Sequence, residues 1–505
     1  MRDLYITTSI PYVNGAPHLG HALEFVHADA LARHHRRRGG QGRLQSGTDD
    51  HAIKNVRAAE AAGVRVADLV ATNGDRFAAL AAALGVGPDE FVRTSSDPRH
   101  AAGVTALWRA CQASGDLYTK DYVGRYCCGC EQFYAPEELE DGWCVEHRVP
   151  VVEVTETNWF FRLSRYREQI TELVISGRLD ITPVQRRNEV LGFLSGEVDD
   201  LSVSRPAARA GGWGIPVPGD PQQVVYVWFD ALTNYLTGLG YASRADADYQ
   251  RWWAGEGRRV HVIGKGIVRF HAVYWIAFLL SAGLPLPTRV LVHDYLTVNG
   301  EKIAKSGAQA ADPTALVADF GADALRWWVL RDPAPVETTD FTVGRLVSAY
   351  NRDLANALGN LACRVLTLSR RPAAWRTTAP IAVGDELHQQ AAALPAAVDH
   401  ALARYDFRAA CEAIIALAEA GNRFIEAETP WQLAKAADAG DTHAAQRFEA
   451  VLDTILAICR VAADELTPLV PEGAARLVAQ LNLNEANKHA SAFPRITERA
   501  SVQHR

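Results

Sequence analysis

The sequence predicts an α/β fold in three parts: a parallel sheet with crossover helices, an inserted cysteine-bearing module that splits it, and a following bundle built of helices alone. Three observations carry this. Short β-favouring runs lead into helix-period stretches near the N-terminus and again after residue 225. Cys127, Cys128, Cys130, Cys144 and His147 gather in one short region. Beyond about Val343 only a 3.6-residue periodicity remains.

The 505 residues, 48% hydrophobic and 22% charged, suffice for about three domains with substantial cores. No stretch of roughly 18 apolar residues runs free of charges and breakers, and the N-terminus lacks the apolar core of a secretory signal. A cytoplasmic protein without a membrane partner is expected. The formal charge of −7 offers no whole-molecule attraction to nucleic acid. Any such contact has to come from local patches such as Arg33–Arg38, a run that by itself reads more simply as a solvated helix end.

"LYITTSI" (Leu4–Ile10) predicts the first strand, and Leu23, Val26 and Ala30 then recur at helical spacing until Gly39 and Gly40. "GRLQSGTDDHAIKNVRAAEAAG" repeats the strand-and-helix pattern. From about Asp116 the texture changes to turns, cysteines and shorter β-like segments. Strand-into-helix patterns return at "VVYVWFDALTNYLTGLGY" and "RVHVIGKGIVRFHAVYWIAFLLSAG". One nucleotide-type, Rossmann-like sheet interrupted by an insert accounts for this order. The expected boundaries are 1–115 and 225–342 for the two halves of that domain, 116–224 for the insert, 343–483 for the helical bundle and 484–505 for a loosely ordered tail.

In "PYVNGAPHLGHALEF", His18 and His21 sit where a glycine-bearing loop enters a helix. That end offers unpaired N–H groups and partial positive charge, and so attracts phosphate. Two imidazoles three apart share one side of the first turn, placed to donate to a phosphate, although the pair alone reads more simply as capping or core histidines. Far downstream, "VNGEKIAKSG" sets Lys302 and Lys305 in a glycine-flanked loop, where flexible ammonium groups can close over a triphosphate. Cys127-x2-Cys130, thirteen residues, then Cys144-x2-His147 supplies three thiolates and an imidazole in two knuckles. That spacing suits one structural Zn²⁺ with no open position, and Cys128 is the spare thiol.

Taken together, "HLGH" and "KIAKS" resemble the HIGH and KMSKS signatures of class I aminoacyl-tRNA synthetases. The stretches "SIPYVNGAPHLGH", "SGTDDHA", "YVWFDALTNY", "HVIGKGIVRFHAVYW", "LTVNGEKIAKS" and "AETPWQLAK" follow, in order, the methionyl-tRNA synthetase family. The resemblance covers roughly residues 4 to 495. It implies a catalytic Rossmann-like domain, a zinc-knuckle insertion and a helical-bundle anticodon-binding domain. It also implies an enzyme that forms methionyl adenylate from L-methionine and ATP with Mg²⁺, then esterifies the terminal adenosine of tRNA(Met).

By the same resemblance His18 and His21 stabilise the α-phosphate, and Lys302 and Lys305 hold the leaving phosphates. Asp49 binds the substrate ammonium; without the family it reads as a strand-end cap. Ile10, Tyr12, Trp228, Ala231, Leu232, Tyr235, Ile267 and His271 match the methionine-contacting positions, where aromatic walls suit a thioether and a Tyr hydroxyl or His N–H can donate to sulfur. Such a pocket separates a one-methylene difference by only about 1–3 kcal/mol, so occasional activation of homocysteine, and its removal as the thiolactone, are expected. Asn360, Arg364 and Trp431 match the positions that read the CAU anticodon, in keeping with recognition of unpaired bases by stacking and edge hydrogen bonds. The chain ends soon after "SAFPRI" without an appended oligonucleotide-binding domain, and a monomer is expected.

Four positions depart from the family pattern: Gly266 for aspartate, Ala52 and Asp294 for glycines, and Ala304 for the third-position serine of KMSKS. Gly266, by the loss of an orienting carboxylate, and Ala304, by altered loop closure, are expected to slow adenylation without abolishing it. The alternative to a tRNA ligase is a divergent paralogue that activates methionine or another apolar amino acid for a different acceptor. A non-enzymatic sensor is disfavoured by the intact histidines and lysines, and a dinucleotide oxidoreductase by the absence of G-x-G-x-x-G.

Overall fold

The computed structural model describes residues 2–127, 132–134, 138–146, 148–298, 300–302, 312–369, 383–482 and 491–498. By internal contacts the chain forms two units, Met1–Ala82 with Val86–Asp294, and Ala83–Gly85 with Tyr295–Arg505.

The first unit is organised by a six-stranded parallel sheet. Strands β1 (Leu4–Thr8), β2 (Gly42–Thr48) and β3 (Glu90–Arg93) lie side by side. On the far side of β1 come Arg258–Gly264, then Arg289–His293, then Asp180–Thr182. Every residue of β1 is buried, as a parallel sheet covered on both faces requires. The chain leaves β1 toward β2 on one side and returns to the Arg258–Gly264 strand on the other. The crevice between the carboxyl ends of these two strands is therefore the topological switch point, where open α/β sheets bind ligands. Gly47 keeps β2 against β3: a Cβ there would lie 2.2 Å from the carbonyl oxygen of Val92.

Helix α1 (Leu19–Arg37) follows β1 and ends in a basic turn, His34 to Arg37, which suits the negative end of its dipole. Arg33 pairs with Asp29 at 2.7 Å, while Arg36 donates to the carbonyl of Gly42 and to Asp89. The Arg33–Arg38 run thus closes a helix.

Within residues 116–224, Leu117–Cys127 and Val152–Phe161 form a long antiparallel ribbon, flanked by Gln132–Tyr134 and Leu201–Ser202. A small three-stranded sheet, Leu139–Glu140, Trp143–Cys144 and Val149–Pro150, forms the knuckle. Buried Arg205 packs its guanidinium against Tyr226 at 4.3 Å and Phe133 at 5.0 Å, which joins this module to the chain returning to the main sheet.

The second unit begins with a strand rather than a helix. Leu296–Val298 pairs in parallel with Thr339–Phe341, so the intervening helices Pro313–Phe320 and Ala322–Arg331 belong with it, and the division falls ahead of residue 342. Beyond, amphipathic helices bury their stripes, as in Phe407–Glu428 with Phe407, Ile414, Ile415 and Ile425. The expectation of a loosely ordered tail is corrected for 491–498. Phe493 is buried against Gly473, and Asn351 exchanges hydrogen bonds with Ile496. One buried phenyl ring contributes about 1.5–3 kcal/mol, enough to hold a short segment down.

Candidate functional site

The loop after β1 places the first histidine pair at the crevice. His18 is the N-cap of α1: its Nδ1 accepts the Gly20 amide at 3.2 Å, and His21 Nδ1 accepts the His18 amide at 3.0 Å. The rings stack with centroids 3.7 Å apart. The capping and phosphate readings are therefore compatible. Each Nδ1 serves the helix, which assigns the proton to Nε2, and an Nε2–H at a helix N-terminus is a donor suited to an anion.

Ile10 and Tyr12 leave β1, and Tyr12 bridges to Asp49, whose amide donates to the Pro11 carbonyl at 2.9 Å. Asp49 is buried and accepts the His51 amide at 3.3 Å, so it also caps the strand end. Trp228, Ala231, Leu232 and Tyr235 lie on the helix Val227–Thr237, and Ile267 and His271 follow the Arg258–Gly264 strand. These elements meet. Trp228 approaches Tyr12 and His271 edge-on, each at 6.2 Å, and stacks flat on Phe270 at 3.9 Å, an aromatic wall the sequence reading did not include.

The polar atoms of this pocket differ from expectation. His271 Nδ1 lies 2.9 Å from the Ile267 carbonyl, which only accepts, so Nδ1 carries the proton and Nε2 accepts the Tyr235 hydroxyl at 2.8 Å. Burial pulls His271 down to about 4 and pushes Tyr235 well above its ordinary value, so both stay neutral. Neither group keeps a proton for sulfur, because each spends it inside the protein. Trp228 Nε1 is buried and lacks a hydrogen-bond partner among the described residues.

Two carboxylates around the crevice escaped the sequence reading, and a third, Asp294, was read only as a departure from the family pattern. Glu24, on α1, accepts the Ser9 amide at 2.7 Å and the Ser9 hydroxyl at 2.6 Å, and meets His293 Nε2 at 3.0 Å. Asp230 lies between His51 Nδ1 at 2.7 Å and His100 Nε2 at 2.6 Å. Burial alone would raise the Asp230 carboxyl. The charge of His51 and the hydrogen bonds from His100 and His51 overcome this and hold it well below the carboxylate range. His51 shows the reverse balance: burial lowers it, but Asp230 raises it above its ordinary value. Asp294 pairs with Arg186 at 2.6 Å and with Lys265. The signal for the first two was a charged residue inside an apolar stripe, Glu24 in "ALEFV" and Asp230 in "VWFDAL". Of the departures, Ala52 is buried at a helix start with no side-chain cap, and Ala304 lies outside the described residues.

In the second unit, Lys302 ends a short hairpin strand paired with Thr297, and Lys305 lies outside the described residues. Arg364 and Trp431 come together: the guanidinium lies 5.7 Å from the indole and pairs with Glu426 at 2.6 Å. Asn360 opens the same helix one turn earlier and lines a cavity of about 500 Å³ with Asn356, Cys363 and Arg495. Trp431 is 39% exposed, a large open surface for an indole.

In the knuckle, Cys127 and Cys144 are fully buried, Cys127 at the end of the long strand Leu117–Cys127 and Cys144 at the end of Trp143–Cys144, and the amide of Arg148 turns back on the Cys144 carbonyl at 2.7 Å. Cys130 and His147 lie outside the described residues, and no group of three metal-ligating side chains occurs among those described. Two buried thiols, one of them heading a tight turn, are the donor type that suits a structural metal.

A parallel sheet open at its switch point, with a histidine-headed helix beside it, is the arrangement a class I tRNA synthetase requires. The family model described as "tRNA synthetases class I (M)" matches residues 4–149 and 129–366, and that described as "Anticodon binding domain of methionyl tRNA ligase" matches 377–500. The methionine–tRNA ligase of Mycobacterium bovis is 39% identical over 489 residues, 95% of this chain and 92% of that protein, and a Mycobacterium tuberculosis ligase gives the same figures. The structure of Mycobacterium tuberculosis methionyl-tRNA synthetase in complex with methionyl-adenylate superimposes with a TM-score of 0.90 at 35% identity, covering 98% of this chain and all of that one. The chain belongs to the methionyl family of class I tRNA synthetases.

Proposed function

We propose that this chain is a methionine–tRNA ligase whose chemistry runs in two steps at the crevice between β1 and the Arg258–Gly264 strand. The methionine carboxylate attacks the α-phosphorus of ATP and expels pyrophosphate; a ribose hydroxyl of the tRNA's terminal adenosine then attacks the acyl carbon and releases AMP. A carboxylate is already nucleophilic, so the protein's contribution is positioning and charge stabilisation. The Nε2–H groups of His18 and His21 donate to the α-phosphate, while Lys302 and Lys305 hold the β- and γ-phosphates, with Mg²⁺ accompanying ATP. Asp49 takes the α-ammonium. Ile10, Tyr12, Trp228, Ala231, Leu232, Tyr235, Ile267 and His271 enclose the side chain.

Cys127, Cys130, Cys144 and His147 hold one Zn²⁺, which cross-links the knuckle and has no open position for chemistry. Asn360, Arg364 and Trp431 read the anticodon. The function implies the cytoplasm, and among the described residues no helix is long and apolar enough to cross a membrane. The observation that carries the reading is the 39% identity extending over 95% of the chain. Pyrophosphate exchange over the twenty amino acids, with and without tRNA, tests it. Methionine-dependent exchange and charging of tRNA(Met) are expected; exchange driven best by another amino acid, or activation without charging, would refute it.

A further inference from the structure

Segment 491–498 lies back on the helical bundle and is fastened on both sides of one exposed arginine. Ala492 and Phe493 are buried, Arg476 donates to the Ala492 carbonyl at 2.9 Å, and Asn351 exchanges hydrogen bonds with Ile496. Between these anchors stands Arg495. Its Nε and Nη2 donate together to Asn356 Oδ1, at 3.0 and 2.8 Å, across 139 residues of sequence. Gly359 lies beneath the segment, where a Cβ would fall 3.4 Å from Phe493 Cβ and 3.5 Å from the Ser491 hydroxyl oxygen.

Arg495 and Asn356 close one side of the cavity that Asn360 also lines. The two donors occupy the Asn356 oxygen, so that amide offers other partners its NH2 group. Arg495 keeps three of its five N–H bonds, and among the described residues no carboxylate pairs with it or lines the cavity. A wall of donors around one fixed positive charge suits an anion better than a base edge, which brings donors of its own. Because Asn356 and the flanking anchors already hold the guanidinium, little side-chain freedom is lost when that anion arrives.

Asn356, Asn360 and Arg364 recur at every fourth position along one continuous helix, and Arg364 meets the exposed Trp431. An RNA that sets its bases against Asn360, Arg364 and Trp431 carries its backbone past the neighbouring turn. The whole chain has a formal charge of −7, so any pull on that backbone has to be local.

We propose that Arg495 binds a backbone phosphate of the RNA whose bases Asn360, Arg364 and Trp431 read, and that Asn356 is the positioning residue that holds the guanidinium ready. This rests on the tRNA-charging reading above and adds to it a contact that carries no sequence information.

The test is equilibrium binding of tRNA(Met) to the full chain over a series of salt concentrations, for the parent, Arg495→Gln, Arg495→Lys, Asn356→Ala and the double variant of Arg495→Gln with Asn356→Ala. Arg495→Gln is expected to weaken binding about tenfold and to reduce the slope of log affinity against log salt by about 0.7, the value of one phosphate on a single strand. Arg495→Lys, which keeps the charge, should retain the parent slope with affinity within about threefold. Asn356→Ala should weaken binding about threefold at the parent slope, and the double variant should be no worse than Arg495→Gln alone. A tRNA with one anticodon base changed should lose the same factor on Arg495→Gln as tRNA(Met) does. In anticodon stem-loops carrying single methylphosphonate linkages, one position should weaken the parent and leave Arg495→Gln unaffected. A parent slope in Arg495→Gln, or a loss that varies with the anticodon base, would overturn the proposal alone. So would weaker binding accompanied by a fall in melting temperature and in tRNA-independent pyrophosphate exchange, since that marks a structural role. A parent that neither binds nor charges tRNA(Met) overturns it together with the reading beneath it.

Discussion

Replacing Asp230 by asparagine removes a fully buried charge that two histidines share. The carboxylate accepts from His51 at 2.7 Å and from His100 at 2.6 Å. Hydrogen bonds to a charged group contribute about 1.5–3 kcal/mol each, and breaking a buried ion pair costs about 3–5 kcal/mol. For a unit of this size about 4 kcal/mol corresponds to a fall in melting temperature of roughly 10 °C. The effect depends on pH in a definite direction. Asp230 titrates in the native state below its unfolded value of about 4, so its contribution is present above that pH and is lost as pH falls through the depressed native value. His51 titrates above its unfolded value of about 6.5, so its contribution is complete below that pH and is lost as pH rises through the native value. Both are present between about pH 4 and 6.5, where the parent-to-variant gap is expected to be widest. Calorimetric scans of both proteins from pH 4 to 8 measure it. A gap under about 2 °C at pH 5.5, or one that does not narrow toward pH 8, would refute the reasoning.

Three further outcomes are expected. His21→Ala should lower kcat for pyrophosphate exchange by about 10²–10³ with little change in methionine KM, as loss of a donor to developing charge does; a kcat within about threefold of the parent counts against the assignment. Chelator-free protein should carry about one equivalent of zinc, and Cys144→Ser less than about half, by elemental analysis; unchanged metal content removes Cys144 from the ligand set. Trp431→Ala should lower tRNA(Met) charging efficiency at least about tenfold through loss of base stacking, with tRNA-independent exchange as the reference, and unaltered charging would remove Trp431 from the RNA face.

The parallel sheet was legible because its central strands are continuous apolar or β-branched runs, such as Leu4–Thr8 and the buried centre of Arg258–Gly264, followed by helix-period stripes. Its far edge was not. Asp180–Thr182 is three residues long and sits amid the insert, too short to carry a period. His18 and His21 were legible because their spacing and helix start lie within one local window, whereas the capping role of each Nδ1 depended on backbone geometry. Glu24 with His293, Asp230 with His51 and His100, and Asp294 with Lys265 and Arg186 were not found, since most of these partners lie more than a hundred residues apart and meet only through the sheet. Phe493 was missed for a related reason: one apolar residue among polar neighbours has no periodicity, yet a glycine on a distant helix made room for it.

Glu24 acts as a common joint. Its two oxygens fasten the end of β1 and the end of the Arg289–His293 strand to one helix, so two walls of the crevice share a single fixed point. Loosening that joint would leave each wall intact and yet let the two drift in relative position, so that both substrates are held well and meet badly.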